Sequence, residues 1–121
     1  PGSSVGHVGN VTFTPHLVPL DRGLMATIYV RLPPGTTEHA LAEVFDHTYA
    51  GDTFVRLTGS SMPEIKHVAH TNFCDIGWRI DAPTGRILLV SVIDNLVKGA
   101  AGQAIQNFNV MFGLDQKAGL L

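Results

Sequence analysis

The chain has 121 residues, enough for one domain with a sizeable core but not for two. Its 45% hydrophobic and 15% charged residues argue against global disorder, and a net charge of −2 without runs of like charge excludes an electrostatic nucleic-acid footprint. A single cysteine excludes a disulfide framework and a CxxC-type zinc site, and no apolar stretch has the length of a membrane span. We therefore expect a soluble, globular and cytoplasmic protein.

The first half of the chain predicts two strands and a helix. Residues 1–10 begin Pro-Gly-Ser without methionine, which indicates a cloning remnant and flexible lead on a piece of a longer protein. Alternating β-branched residues predict a strand over 11–17, weakened by Pro15, and a second strand over 24–32. After Pro-Pro-Gly, Thr36 or Thr37 can cap a helix that ends at Gly51.

The second half predicts three more strands and a final helix. A short strand is expected over 53–57, and two more over 72–81 and 86–93 are joined by an Ala-Pro-Thr-Gly turn. Apolar residues at helical spacing predict a helix over 98–112 that stops at Gly113. The order predicts an α+β fold, with a largely antiparallel or mixed sheet and two amphipathic helices on one face.

Few side chains suggest catalysis by their spacing. The six histidines include no HxxxH or HExxH pair, so we expect no metal site. His16 has the best functional claim of the six because it ends a strand beside the Asp-Arg-Gly loop, although the residues favour a histidine hydrogen-bonded to the loop backbone. Cys74 lies within a predicted strand with Asp75 adjacent, which favours a buried structural cysteine over a nucleophile.

The most informative segment joins the last strand to the last helix. Asp94 and Asn95 lead into a first helical turn that carries Lys98 and Gly99, and such a helix start attracts anions. A lysine at this end is unfavourable for the helix dipole unless it meets an anion. Asp94, Asp75 or a phosphate of cofactor or substrate could supply that anion, and the sequence leaves these alternatives open.

Four motifs in order resemble one enzyme family. They are Phe-Thr-Pro-His-Leu-Val-Pro at 13–19, Arg-Gly at 22–23, Phe-Cys-Asp-Ile-Gly at 73–77 and Asp-Asn-Leu-Val-Lys-Gly-Ala-Ala-Gly-Gln at 94–103. This set is similar to N-acetyl-γ-glutamyl-phosphate reductases, the arginine-biosynthesis enzymes of the aspartate-semialdehyde-dehydrogenase type. The resemblance covers nearly all of residues 11–121.

The resemblance implies a domain rather than a whole enzyme. Family members join an NADP-binding Rossmann domain to an α+β domain resembling the C-terminal domain of glyceraldehyde-3-phosphate dehydrogenase. Residues 11–121 resemble this substrate-side and dimerisation domain, and no strand followed by GxGxxG occurs. The parent would reduce N-acetyl-glutamyl-phosphate to N-acetylglutamate semialdehyde, and this fragment would be inactive alone.

The resemblance also implies where site residues lie. The family's nucleophilic cysteine (Gly-Cys-Tyr-Pro-Thr) and catalytic histidine (His-Arg-His-x-Pro-Glu) have no counterpart here, so no residue of this chain is assigned as catalytic. Asn95, Lys98 and Gly99 are expected at the NADP, which the fragment alone would not bind tightly. His16 and Arg22 are expected on the substrate side, because a guanidinium suits carboxylate or phosphate.

The implied partners are the parent's Rossmann domain and further copies of the chain in a dimer or larger oligomer, with no nucleic acid and no membrane. Two alternatives stay open. The chain could be a stand-alone small-molecule-binding or assembly module, or a domain of a related lysine-pathway or aspartate-semialdehyde reductase. The Phe-Thr-Pro-His-Leu-Val-Pro motif favours the arginine enzyme.

Overall fold

A computed structural model describes residues 11–121, and the predicted remnant at 1–10 lies outside this range. Four strands and two α-helices follow one another in this range, confirming the predicted α+β class. They are β1 (Leu24–Arg31), α1 (Glu38–Tyr49), β2 (Val55–Gly59), β3 (Cys74–Asp81), β4 (Arg86–Ile93) and α2 (Gly102–Met111). A 3-10 helix (Ile65–His67) precedes β3, and a π-helix (Val97–Ala101) precedes α2. No helix among these residues is long and apolar enough to cross a membrane.

The strands form one mixed sheet in the order β1-β4-β3-β2. The strand β4 is antiparallel to both β1 and β3, and β2 is parallel to β3. Their register places the start of β1, the end of β4 and the starts of β3 and β2 side by side, at Leu24, Ile93, Cys74 and Val55. Residues that follow β4 therefore meet residues that precede the other three strands at this end of the sheet.

One face of the sheet is covered by α1. Thr37 caps this helix by accepting a hydrogen bond from the backbone N–H of Ala40 at 3.2 Å, as predicted. Phe45 stacks on Trp78 of β3 with ring centroids 4.4 Å apart. The chain leaves the helix through Gly51, whose φ of +90° suits glycine.

The segment 60–73 covers the opposite face of the sheet. Trp78 faces α1, so its neighbour Gly77 faces this segment, because successive strand residues point to opposite sides. A side chain at Gly77 would lie 2.8 Å from Pro63 and 2.9 Å from the backbone oxygen of Ser61, so only glycine allows this approach. Val68 packs here with Val90 and Val92 in the main buried apolar cluster.

The predicted strand over 11–17 is wrong. Residues 11–18 form no ladder with β1, although they lie across an open groove from it. Pro15 and Pro19 lack the backbone N–H that a ladder requires, which accounts for part of the difference. As a result β1 stays a sheet edge, and Ile28 and Tyr29 are 43% and 66% exposed.

The predicted helix over 98–112 is present but starts differently. Its first turn is a π-helix, in which the N–H of Gly99 donates to the carbonyl of Asp94 at 2.9 Å and that of Ala101 to Leu96 at 3.2 Å. A regular α-helix follows and gives way to Gly113 at φ +67°, the predicted stop.

Candidate functional site

The residues that follow β4 are organised around the Asp94 carboxylate. This side chain is fully buried and accepts four hydrogen bonds. The donors are Nη1 of Arg22 at 3.0 Å and the backbone N–H groups of His70, Leu96 and Val97 at 2.7, 2.8 and 3.0 Å. The Asp94 carboxylate therefore joins three chain segments, namely the loop before β1, the loop before β3 and the turn after β4.

These hydrogen bonds govern the ionisation of Asp94. Burial raises its pKa, but the donors from His70, Arg22, Leu96 and Val97 outweigh burial and lower the pKa to about 2. The carboxylate is therefore charged throughout the neutral range. A buried charge with this many donors is stable only while all three segments keep their places.

Asn95 adds a second hydrogen bond between the loop before β1 and the turn after β4. Its Oδ1 accepts the backbone N–H of Gly23 at 2.8 Å, next to the Arg22–Asp94 ion pair. Two predicted site residues, Arg22 and Asn95, are thus brought together although they lie more than 70 positions apart in sequence. We name Arg22, Gly23, His70, Asp94 and Asn95 the Asp94 junction.

Lys98 lies in the π-helix beside the junction. Its Nζ donates to Oε1 of Gln106 at 2.7 Å and lies 5.5 Å from the ring centroid of Phe54. The same Gln106 oxygen accepts from Nδ2 of Asn72 at 3.0 Å. Burial lowers the pKa of Lys98, and the nearby Cys74 and Asp52 oppose that shift.

Asp94 and Asp75, two of the anions that the sequence left open for Lys98, are both paired with arginines instead. Asp94 pairs with Arg22, and Asp75 pairs with Arg56, whose Nε lies 2.6 Å from its Oδ1. The sheet register places Arg56 opposite Asp75, whereas Arg22 and Asp94 lie just beyond the paired residues Leu24 and Ile93. Lys98 donates to neither of these carboxylates, and a third carboxylate, Asp52, lies nearby.

Gly99 lies at the exposed start of the same helix. A side chain there would meet its nearest neighbour, Ile93, at 3.4 Å, so the position is open enough for a ligand but does not demand glycine. His16 is exposed, and its Nδ1 lies 3.1 Å from the backbone oxygen of Thr14. It lines the groove between residues 11–18 and β1, which we name the β1 groove.

The β1 groove brings His16 and Asn95 to one surface. Gly23 and Asn95 lie in its lining, whereas Arg22 lies beside it with 34% of its side chain exposed. Lys98 and Gly99 are not part of this lining. The five predicted residues therefore form two groups, one at the groove and one at the π-helix, with Asp94 between them.

Sequence reasoning missed Asn72, Gln106 and His70. Asn72 is 1% exposed, its Oδ1 has no hydrogen-bond partner among residues 11–121, and it packs against Gly102. His70 has a φ of +64°, rare for a residue with a side chain. No spacing rule points to either feature, because both depend on which segments meet at the end of the sheet.

Cys74 lies near Lys98 at the end of the sheet where the strands meet. It is the first residue of β3, is half-buried, and its Sγ lies 3.4 Å from Oγ of Ser91. Within residues 11–121 no group of three or more His, Cys, Asp or Glu side chains could hold a metal ion.

The chain matches a known protein family. Residues 3–95 match the family described as the semialdehyde dehydrogenase dimerisation domain. The chain is 52% identical over 112 residues to an N-acetyl-gamma-glutamyl-phosphate reductase of Desulforapulum autotrophicum, which covers 92% of this chain and 32% of that protein. The resemblance predicted from the motifs is confirmed.

Two more relatives carry the same name. The protein of Symbiobacterium thermophilum is 53% identical over 112 residues, or 92% of this chain and 32% of its own length. The protein of Pelotomaculum thermopropionicum is 48% identical over 120 residues, or 98% of this chain and 35% of its own length. The chain thus spans about a third of the curated relatives it matches.

We predict that Asp94 makes the stability of the domain sensitive to acid. Its pKa of about 2 in the folded chain lies below the ordinary 3.8, so its stabilisation is complete above about pH 4 and is lost as the pH falls through 2. Asp94→Asn should lower the free energy of unfolding at pH 7 by on the order of 2 kcal/mol. Urea unfolding between pH 7 and pH 2 should show a smaller decline for the variant than for the native chain.

Glu64→Gln provides the control. The pKa of Glu64 is also lowered, by a hydrogen bond from Lys66, but the pair is exposed and should add little stability. Equal pH dependence of the native chain and Asp94→Asn would contradict the assignment of acid sensitivity to Asp94.

Proposed function

The chain belongs to the semialdehyde dehydrogenase dimerisation-domain family, and we propose that it is the substrate-side and dimerisation domain of an N-acetyl-γ-glutamyl-phosphate reductase. The whole protein would use NADP to convert N-acetyl-glutamyl-phosphate to N-acetylglutamate semialdehyde in arginine biosynthesis. The observation that carries this proposal is the identity of about 50% with reductases of that name over more than nine-tenths of the chain.

We assign two roles to the end of the sheet where the strands meet. Asn95, Lys98 and Gly99 would face the cofactor, and Arg22 and His16 would face the substrate. The donor chemistry fits: Asn95 uses Oδ1 for Gly23, which leaves its Nδ2 as a donor, and Lys98 has a single acceptor among residues 11–121. NADPH, when bound, supplies the hydride, while these side chains bind and orient the two anionic molecules.

The nucleophilic cysteine and the catalytic histidine would be supplied by parts of the parent outside this chain. Cys74 is the first residue of β3, lies outside the Gly-Cys-Tyr-Pro-Thr motif of the family's nucleophile, and has its Sγ 3.4 Å from Oγ of Ser91. The chain would therefore contribute binding groups rather than the groups that form and break bonds.

The two exposed apolar surfaces match two partners. The strand β1 is exposed on both faces and at its edge, and a second copy of the chain would cover it. The helix α2 exposes Ile105, Phe108 and Met111, and the cofactor-binding Rossmann domain of the parent would cover that stripe. Both assignments are supported by surfaces that residues 11–121 leave uncovered.

The first test separates the chain from its parent. We expect the full-length protein to turn over N-acetylglutamate semialdehyde, phosphate and NADP, and the 121-residue chain to show no turnover. Formation of NADPH can be followed by its absorbance. An inactive full-length protein would overturn the proposal, and turnover by the chain that Cys74→Ser abolishes would overturn the placement of the nucleophile.

The second test concerns association. The exposed apolar residues of β1 predict that the chain forms dimers or larger assemblies at high micromolar concentration, measured by sedimentation. Ile28→Lys should shift the chain toward monomers because it places a charge on that surface. Val44→Lys, on α1 at a position that is more exposed than Ile28, should not do so. A clean monomer of the native chain would contradict the prediction.

The third test concerns Lys98. In the full-length enzyme Lys98→Met should raise KM for NADP or for the phosphorylated substrate several-fold, because a charge-assisted contact contributes about 1.5 to 3 kcal/mol. Its melting temperature should change little, since the ammonium contacts a neutral amide rather than a carboxylate.

The control is Lys66→Met, which removes an exposed lysine paired with Glu64 and should leave KM unchanged. If KM for both ligands stays constant in Lys98→Met while its melting temperature falls, Lys98 is a structural residue.

A further inference from the structure

We propose that Asp94 is a positioning residue that holds the Arg22 guanidinium in place to bind an oxyanion, a carboxylate or a phosphate group, and this proposal rests on the proposed function. The spare donors of Arg22 are the reason for the assignment. One nitrogen, Nη1, binds Asp94 at 3.0 Å, whereas Nε and Nη2 have no acceptor among residues 11–121. These two nitrogens lie on one side of the planar guanidinium and can bind two oxygens of one oxyanion.

The other arginine–aspartate pair of the sheet shows the contrast. Nε of Arg56 donates to Asp75 at 2.6 Å, and Nη2 donates to Asp75 at 2.9 Å and to the backbone of His67 at 3.0 Å. The guanidinium also lies 4.3 Å from the ring centroid of Phe73. In Arg56 the nitrogens Nε and Nη2, which Arg22 leaves free, are therefore already occupied by Asp75. The pair of Arg56 with Asp75 is structural.

Asp94 is unusually well suited to fix another side chain. Its own carboxylate is fully buried and immobilised by the backbone N–H groups of His70, Leu96 and Val97. An arginine bound to this carboxylate loses much of the rotational freedom that it would otherwise lose on binding its ligand. The orientation of Arg22 is thus set before an oxyanion arrives.

The backbone of the arginine is fixed as well. The next residue, Gly23, donates its N–H to Asn95 at 2.8 Å, has a φ of +117° and packs closely over Ile65. A side chain at Gly23 would collide with Ile65. Both ends of Arg22 are therefore held, and the exposed third of its side chain is open to a ligand beside the β1 groove.

The experiment uses the full-length protein and measures binding without turnover. Inorganic phosphate and N-acetyl-L-glutamate are titrated separately by calorimetry, so that a phosphate ligand and a carboxylate ligand are distinguished. We expect Asp94→Asn to weaken binding of one of them at least about five-fold, and Arg22→Gln to do the same. The double variant should bind no more weakly than Arg22→Gln, because Asp94 acts through Arg22.

Asp75→Asn is the matched control, since it breaks an equally buried pair in the same sheet. It should lower the melting temperature without changing either dissociation constant. If Asp94→Asn does not fold, Arg22→Lys replaces it: this variant keeps the charge beside Asp94 but lacks the fork, and should weaken the same anion at an unchanged melting temperature.

The outcomes separate this proposal from the proposed function. Unchanged dissociation constants in Arg22→Gln and Arg22→Lys, or equal effects of Asp94→Asn and Asp75→Asn, overturn the role of Asp94. Anion binding that depends on Asp94 in a full-length protein without reductase activity supports that role and overturns the proposed function instead.

Discussion

The buried charge of Asp94 is the constraint on which the rest of this structure depends. An ionised carboxylate without contact to water must be surrounded by donors, and here they come from the loop before β1, the loop before β3 and the turn after β4. The register of the sheet brings these segments to one end. The π-helix also begins there, because Gly99 donates to the carbonyl of Asp94 itself. One side chain thus links the sheet order to the start of the last helix.

The sheet is covered unequally, and this has a direct consequence for the state of the domain. Phe45 of α1 covers β3 from one side, and Val68 covers β4 from the other. Nothing among residues 11–121 covers β1 in the same way, and seven of its eight residues, all but Ala26, are exposed. An exposed apolar strand at a sheet edge is typical of an interaction surface. The family name, a dimerisation domain, agrees with that conclusion.

The two arginine–aspartate pairs show how similar contacts serve different purposes. Asp75 is bound by two nitrogens of Arg56, which joins neighbouring strands β2 and β3. Asp94 is bound by one nitrogen of Arg22 and is otherwise satisfied by the backbone. The charge balance is the same, but only the second arrangement leaves a guanidinium with free donors. The two ion pairs differ in which nitrogens of the guanidinium have an acceptor: Nη1 in Arg22, and Nε and Nη2 in Arg56.

Local sequence determined much of this protein. The bounds of β4, the Thr37 cap, the turn after β3 and the stop at Gly113 were all predicted, because each depends on residues a few positions apart. The ordered motifs also identified the family. The partner of every charged side chain in the sheet was decided by tertiary structure, because strand order and register place distant residues together. That is why Lys98 contacts Gln106 rather than Asp94 or Asp75, and why the segment 11–17 is no strand. Whether a segment pairs with a sheet edge, and which donors surround a buried charge, depend on residues that are distant in sequence, so no local pattern predicts them.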